Sequence, residues 1–205
     1  MLRAKFAIAN VAASYTIEYS LFGNGEITID WKLDAPDISV AKQVIPRLGM
    51  TTKLHKDFQE VVWYGRGPLE SYWDRKEGAA VGIYNKTVTE LHYPYVMAQE
   101  NGLRSDVRCL SLKNATGEQI KITANQPFFF SVANYTQEDL NMAKHDYELP
   151  TRDFVTLNID AKHMGLGCKN SWGGLPLTRH LVKQKKYQGS FNISPSVSNK
   201  PLVRK

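Results

Sequence analysis

Apolar and polar residues alternate with a period of two through residues 26–33 (EITIDWKL). Ile27, Ile29, Trp31 and Leu33 share one face, and Glu26, Thr28, Asp30 and Lys32 the other. A strand that buries one face and wets the other has this pattern. A second β-rich run, residues 15–22, precedes it, and Gly23-Asn24-Gly25 lies between them. Those three residues tolerate the left-handed backbone of a tight turn, so the two runs are predicted to form a hairpin. Further strand runs stand at 60–64, 82–84, 105–112, 119–124, 128–133, 154–159 and 187–193. The opening segment is basic and then apolar, but Asn10 interrupts it and it leads straight into the first strand run. It reads as a strand and not as a signal peptide.

Only residues 136–145 (TQEDLNMAKH) read as helix. Thr136 is a natural N-cap, Glu138 and Asp139 suit the positive end of the helix dipole, and Lys144 and His145 suit its far end. Thr136 and Asp139 also have capping-box spacing. Many short strands with turn signals and one short helix predict an all-β sandwich forming a single domain over 1–205. Residues 194–205, with two prolines and little apolar content, read as a flexible tail.

Composition agrees with a packed fold. Of the 205 residues, 42% are hydrophobic and 11% aromatic, enough to build a core and too many for a disordered chain. No run approaches the roughly 18 apolar residues of a membrane span, so no membrane is expected. The net charge of +6 raises nucleic acid as a partner. The basic residues are spread out, however, and the densest group, Arg179 with Lys183, Lys185 and Lys186, has no zinc spacing or RNA-binding signature beside it. That group reads as a solvated strand face, and nucleic acid is not expected. Cys109 and Cys168 are too few for a disulfide framework; one bridge or two thiols are both open.

Three stretches carry candidate chemistry. In WYGRGPLESYWDR, residues 63–75, the glycines around Arg66 and then Pro68 predict a loop. Trp63 and its aromatic neighbours could stack on the C–H face of a sugar while Arg66 bonds its hydroxyls, or the loop could pack on itself with its arginines satisfying buried acceptors. In YPYVMAQENGLRSDVR, residues 93–108, Glu100 and Asn101 sit in a polar turn. Glu100 with Arg104, and Asp106 with Arg108, could pair; a lone Glu is weak evidence for acid/base chemistry, which needs a placed partner. In LNIDAKHMGLGCKNSW, residues 157–172, Gly165 and Gly167 shape a loop that presents Trp172. Trp172 could be exposed for stacking or could plug the end of the sandwich. His163 stands apart from other ligand types and reads as a hydrogen-bonded structural histidine; no metal site is expected.

Together the three stretches, with FGNGEITI at residues 22–29, resemble the C-terminal domain of family-2 beta-galactosidases over about residues 15–195. The resemblance implies a supersandwich fold similar to galactose mutarotase, beginning here inside the domain. It implies that the jelly-roll, immunoglobulin-like and TIM-barrel domains are absent, and with them both catalytic glutamates and the Mg²⁺ ligands of the parent enzyme, so that this chain binds no cofactor. One residue role carries over: Trp172, closing the HMGxG…SW pattern, would reach the barrel's active site and form a stacking wall for the galactoside. The pattern departs at Cys168-Lys169-Asn170, where an acidic residue is usual, at Ala98, where Pro is usual, and at Leu103, where Asn is common. The implied function is a non-catalytic part of a retaining beta-galactosidase, with a galactoside and the remaining domains as partners. A stand-alone carbohydrate-binding module, with the aromatics of 63–73 as platform, is a second reading. A mutarotase-like epimerase drawing on His145, His163 and Glu100 is a third. An unpaired edge strand would favour a homo-oligomer. The compartment, cytoplasmic or periplasmic, follows from the parent and is not assigned.

Overall fold

The computed structural model describes residues 1–8, 13–35, 44–168, 170, 173–183 and 185–197. In chain order its strands are β1 (Leu2–Ile8), β2 (Ala13–Leu21), β3 (Ile27–Asp34), β4 (Arg47–His55), β5 (Glu60–Gly67), β6 (Ala80–Thr87), β7 (Arg104–Lys113), β8 (Glu118–Ala133), β9 (Phe154–His163) and β10 (Lys186–Val197). Two short helices, α1 (Val88–Leu91) and α2 (Gln137–Met142), and two single-turn 3-10 segments, Asp146–Glu148 and Thr178–His180, lie between them. Every strand pairing is antiparallel, in the order β1-β2-β3-β10-β8-β7-β5-β6, with β9 on β8 and β4 on β9.

The long β8 turns this ladder into a sandwich. Its first half pairs with β10 and its second half with β9, while β7 runs along both halves on the other side, so one strand serves two groups of neighbours. Side chains from both groups then meet in one core: Ile29, Trp31 and Leu33 of β3, Val61 and Trp63 of β5, Leu110 and Leu112 of β7, and Val155, Leu157 and Ile159 of β9. The all-β sandwich follows from the alternation, because central strands such as β3 and β5 have one apolar face that only a facing layer removes from water.

The β2–β3 hairpin forms as expected. Phe22 N–H donates to the Glu26 carbonyl at 2.9 Å, Gly25 takes a φ of +84°, and Glu26 N–H donates to Asn24 Oδ1 at 3.1 Å. The Thr136 cap forms too: its hydroxyl accepts from Asp139 N–H, and the Asp139 carboxylate accepts from Thr136 N–H at 2.8 Å. The helix itself stops at Met142, short of 145, because Asp146–Glu148 tightens into a 3-10 turn.

Several expectations are corrected. The runs at 119–124 and 128–133 are one strand, β8. Strand β4 and helix α1 have no counterpart in the reading of the sequence; β4 alternates weakly (RLGMTTKLH), and α1 is a single turn capped by Thr87 and Glu90. Residues 194–197, assigned to the tail, continue β10, with Pro195 opposite Ile120 on β8. The β3 pairing ends at Ile193, so the N–H that Pro195 lacks faces no partner strand. Gly65-Arg66-Gly67 is not a loop but the end of β5. There the glycines answer a packing need: a Cβ on Gly65 would lie 2.9 Å from Val107, and one on Gly67 2.8 Å from the Tyr84 ring. Both cysteines are free. Among the described residues no helix is long and apolar enough to cross a membrane, and no three His, Cys, Asp or Glu converge as a metal site.

Candidate functional site

The three chemical stretches meet at one end of the sandwich. The turn after β5 (residues 68–79), the loop before β7 (92–103) and the loop after β9 (164–182) are tied together by side chains. Arg104, fully buried at the start of β7, donates to the carbonyls of Leu91 at 3.2 Å, Gly102 at 2.7 Å and Pro68 at 3.0 Å. It has no carboxylate within salt-bridge distance among the described residues, and burial pulls its pKa down to about 10. One guanidinium fork thus fixes the entry to two of the loops. Glu70 closes them further, accepting from Gly102 N–H at 2.8 Å, from Arg75 at 2.5 Å and from the Tyr95 hydroxyl.

Beneath lies a buried polar cluster. Tyr72 donates its hydroxyl to Glu100 at 3.1 Å and packs edge-on against the His163 ring, 5.5 Å between centroids. Burial, reinforced by Glu100 and Glu70, pushes the Tyr72 phenol far above its ordinary pKa, so it remains a donor. Asp160 of β9, 2% exposed, is gripped by Arg47 of β4 through two bonds, at 2.5 and 3.3 Å. Burial pushes the Asp160 carboxyl up, and the Arg47 charge opposes the shift. Arg47 also reaches to 3.9 Å of Glu100. His163 donates Nδ1–H to the Met164 carbonyl at 2.7 Å, and its Nε2 stands 4.0 Å from Glu100. Glu100 is the most exposed carboxylate of the cluster and opens to a groove of about 610 Å³ walled by Met97, Leu140, Lys144 and His145.

The structure therefore brings Glu100 and His163 together, which their positions in separate stretches did not suggest. Their partners are not those expected. Glu100 faces Arg47 while Arg104 turns to backbone carbonyls. Asp106, at a β7 bulge with φ of +52°, is held by Arg66 at 2.6 Å and Lys76 at 2.9 Å, and Arg108 bonds only its carbonyl. Those two cations hold the Asp106 carboxyl below its usual range against the opposing effect of burial. Arg66 also donates to the carbonyls of Lys76 and Ala79, so it shapes the turn that follows β5. Trp63 is 1% exposed, donates to the Arg66 carbonyl and packs on Tyr84 and Phe130, so its ring faces the core. Asn101 is turned inward, donating to the Gln99 carbonyl and accepting from Tyr93 N–H. Arg47 was missed, since a lone Arg in a weak strand run gives no signal; Asp74 stands among the charged residues of the first stretch, but its role shows only against two glycines distant in sequence.

That role concerns the third loop. Asp74 Oδ2 accepts from Gly167 N–H at 2.5 Å, and the carboxylate fills the space a side chain would need on Gly165 (2.5 Å from an added Cβ) and on Gly167 (2.9 Å). Gly165 N–H donates to the His180 carbonyl at 2.8 Å, and Trp73 Nε1 to the Arg179 carbonyl at 3.3 Å. A bridge between Cys168 and Pro176 closes the base of the segment 169–175, and Gly174 N–H bonds Asn170 Oδ1 within it. Trp172 belongs to this segment but lies outside the described residues; its frame does not.

The family model described as "Beta galactosidase small chain" matches residues 2–193. A beta-galactosidase of Priestia megaterium is 32% identical over 196 residues, 95% of this chain but 19% of the relative. One from Vibrio cholerae is 36% identical over 185 residues, 88% of this chain and 17% of the relative. One from Pseudoalteromonas haloplanktis is 33% identical over 181 residues, 88% and 16% of the two chains. The chain thus spans less than a fifth of the length of these relatives. It belongs to the beta-galactosidase small-chain family.

Proposed function

We propose that this chain completes the active site of a retaining beta-galactosidase whose barrel lies outside these residues, supplying Trp172 as a stacking wall for a terminal β-galactoside. The observation that carries the reading is the frame around residues 169–175: Asp74 wedged under Gly165 and Gly167, and the Cys168–Pro176 bridge at the base. A fold invests such constraints where a loop must be aimed, since a stacking face contributes only in the right orientation.

An indole placed against the C–H face of the sugar acts on ground state and transition state alike, so it lowers KM more than it raises kcat. The carboxylates gathered at this end, Glu70, Asp160 and Glu100, do not offer a free pair for hydrolysis. Glu70 is taken by three donors, Asp160 by Arg47, and Glu100 by Tyr72 and Arg47, whereas glycoside cleavage needs two carboxyls free to act across one bond. The bond-cleaving glutamates and any Mg²⁺ belong, on this reading, to the barrel-bearing part of the enzyme. A stand-alone sugar-binding module is less well supported, because Trp63 and Tyr72, the centre of its platform, are buried.

The test mixes the chain with the Priestia megaterium beta-galactosidase from which the matching segment has been deleted, and follows hydrolysis of 2-nitrophenyl β-galactoside. Activity should appear on mixing. Trp172→Ala should then raise KM by an amount equivalent to about 1–3 kcal/mol with kcat changed far less. An unchanged KM would overturn the role given to Trp172.

A further inference from the structure

We propose that the barrel-bearing part of the enzyme docks on the face built from residues 93–97 and from the corner after α2, over the groove that ends at Glu100. The inference rests on the proposed function and adds to it the surface through which the two parts meet. Val96 is 87% and Tyr147 82% exposed, and Tyr93, Met97 and Met142 are also open to solvent. Single exposed apolar residues are ordinary, but five large ones on two touching segments mark an interaction surface. The segments do touch: His92 Nε2 meets Asp146 at 2.7 Å, and the groove between them is walled by Met97 on one side and His145 on the other.

The patch is held ready. The Tyr93 and Tyr95 rings lie 4.6 Å apart, and Tyr95 is anchored to Glu70 and Arg75. His145 and Tyr147 stack at 5.2 Å with 11° between planes. His92 also bonds Tyr135, fixing the start of the loop. Rigid apolar side chains lose little freedom on binding, which favours association, and two methionines give the surface some ability to adapt to its partner.

Two observations identify the occupant. The matching family is described as a small chain, and the relatives hold more than four times as much polypeptide again outside the match. The patch is also continuous with the turn at 70–75, whose Glu70 and Arg75 hold Tyr95 and whose Asp74 frames the segment that carries Trp172. A partner seated here lies beside the turn that frames that segment. Another large apolar group, Leu2, Phe6 and Ile8, is on the open edge strand β1, where an identical strand is the fitting occupant; Tyr64, Val81 and Ile83 form a further one on β5 and the edge strand β6.

Hydrogen exchange of the full chain, alone and with the segment-deleted Priestia megaterium enzyme, tests the assignment. Protection should appear at residues 92–97 and 142–147. The double variant Met97→Glu/Tyr147→Glu should weaken association at least tenfold without changing the melt, while Ile83→Glu on β6 should bind as the parent chain does. Protection confined to β1, β2 or β6, or an unchanged affinity of the double variant, would overturn the surface. Failure of the unvaried chain to associate at all would instead overturn the proposed function, and the surface with it.

Discussion

Gly165→Ala is the sharpest structural perturbation the fold offers. An added Cβ would lie 2.5 Å from Asp74 Oδ2, 2.6 Å from its Cγ and 2.9 Å from its Cβ. Because the Asp74 Cβ is itself among the clashing atoms, a rotamer change does not clear the contact; the turn at 70–75 or the loop after β9 must move. Overpacking of this kind costs about 1–3 kcal/mol. Withdrawing the carboxylate also breaks its bond from Gly167 N–H, a bond to a charged acceptor worth about 1.5–3 kcal/mol. Solvent reaches the loop and recovers part of the second cost, so a net loss of about 3 kcal/mol is expected. For a chain of this size each kcal/mol lowers Tm by about 2–4 °C, giving a fall of about 6–12 °C. Thermal unfolding followed by tryptophan fluorescence measures it. Asp74→Ala should relieve most of the clash, so the double variant should lose much less than the two single losses added together. A Gly165→Ala melt within about 2 °C of the parent, or simple additivity, would refute the wedge.

Other expected outcomes follow from the same contacts. Arg47→Met strands the Asp160 carboxylate in the core and should cost about 3–5 kcal/mol in urea unfolding, with Arg47→Met/Asp160→Asn recovering part; a loss under about 1 kcal/mol would show that Asp160 is not charged there. The exposed apolar face and open edge of β1 should make the isolated chain self-associate, and Phe6→Lys should yield monomer by light scattering; a parent chain that is monomeric at micromolar concentration contradicts this. Arg152, with Thr136, holds the Asp139 carboxyl well below the usual range. A carboxylate with a depressed folded pKa stabilises above its unfolded value, about 4, and loses that contribution as pH falls toward the folded value. Asp139→Asn should therefore lower the melt at pH 7 and narrow its difference from the parent at pH 3; an equal gap at both would contradict the pairing.

The alternating strands and the glycine hairpin were legible in the sequence because their signals are local: period-two burial in β3, and Gly-Asn-Gly between β2 and β3. Strand β4 was not, since its burial depends on β9 lying beside it and its own pattern barely alternates. Gly65 and Gly67 misled for an instructive reason. Glycine serves turns and close approaches alike, and only the positions of Val107 and Tyr84 show that these two serve the second purpose. The same holds at the site. Aromatic and charged residues could be identified as a group, but which ring is buried and which carboxylate pairs with which cation depends on side chains from β4, β7 and β9 meeting in space. Trp63 and Glu100 each had two readings until Phe130 and Arg47 stood next to them.

The central proposal is that these residues cleave no glycoside by themselves and complete a larger enzyme that does. Initial rates of 2-nitrophenyl β-galactoside hydrolysis test it most directly, measured for the chain alone, for its Glu100→Gln variant, and for each mixed with the segment-deleted Priestia megaterium enzyme. The account expects no turnover by either form alone and a marked rise for both mixtures. Turnover by the chain alone that Glu100→Gln abolishes, or no rise on mixing, would contradict it.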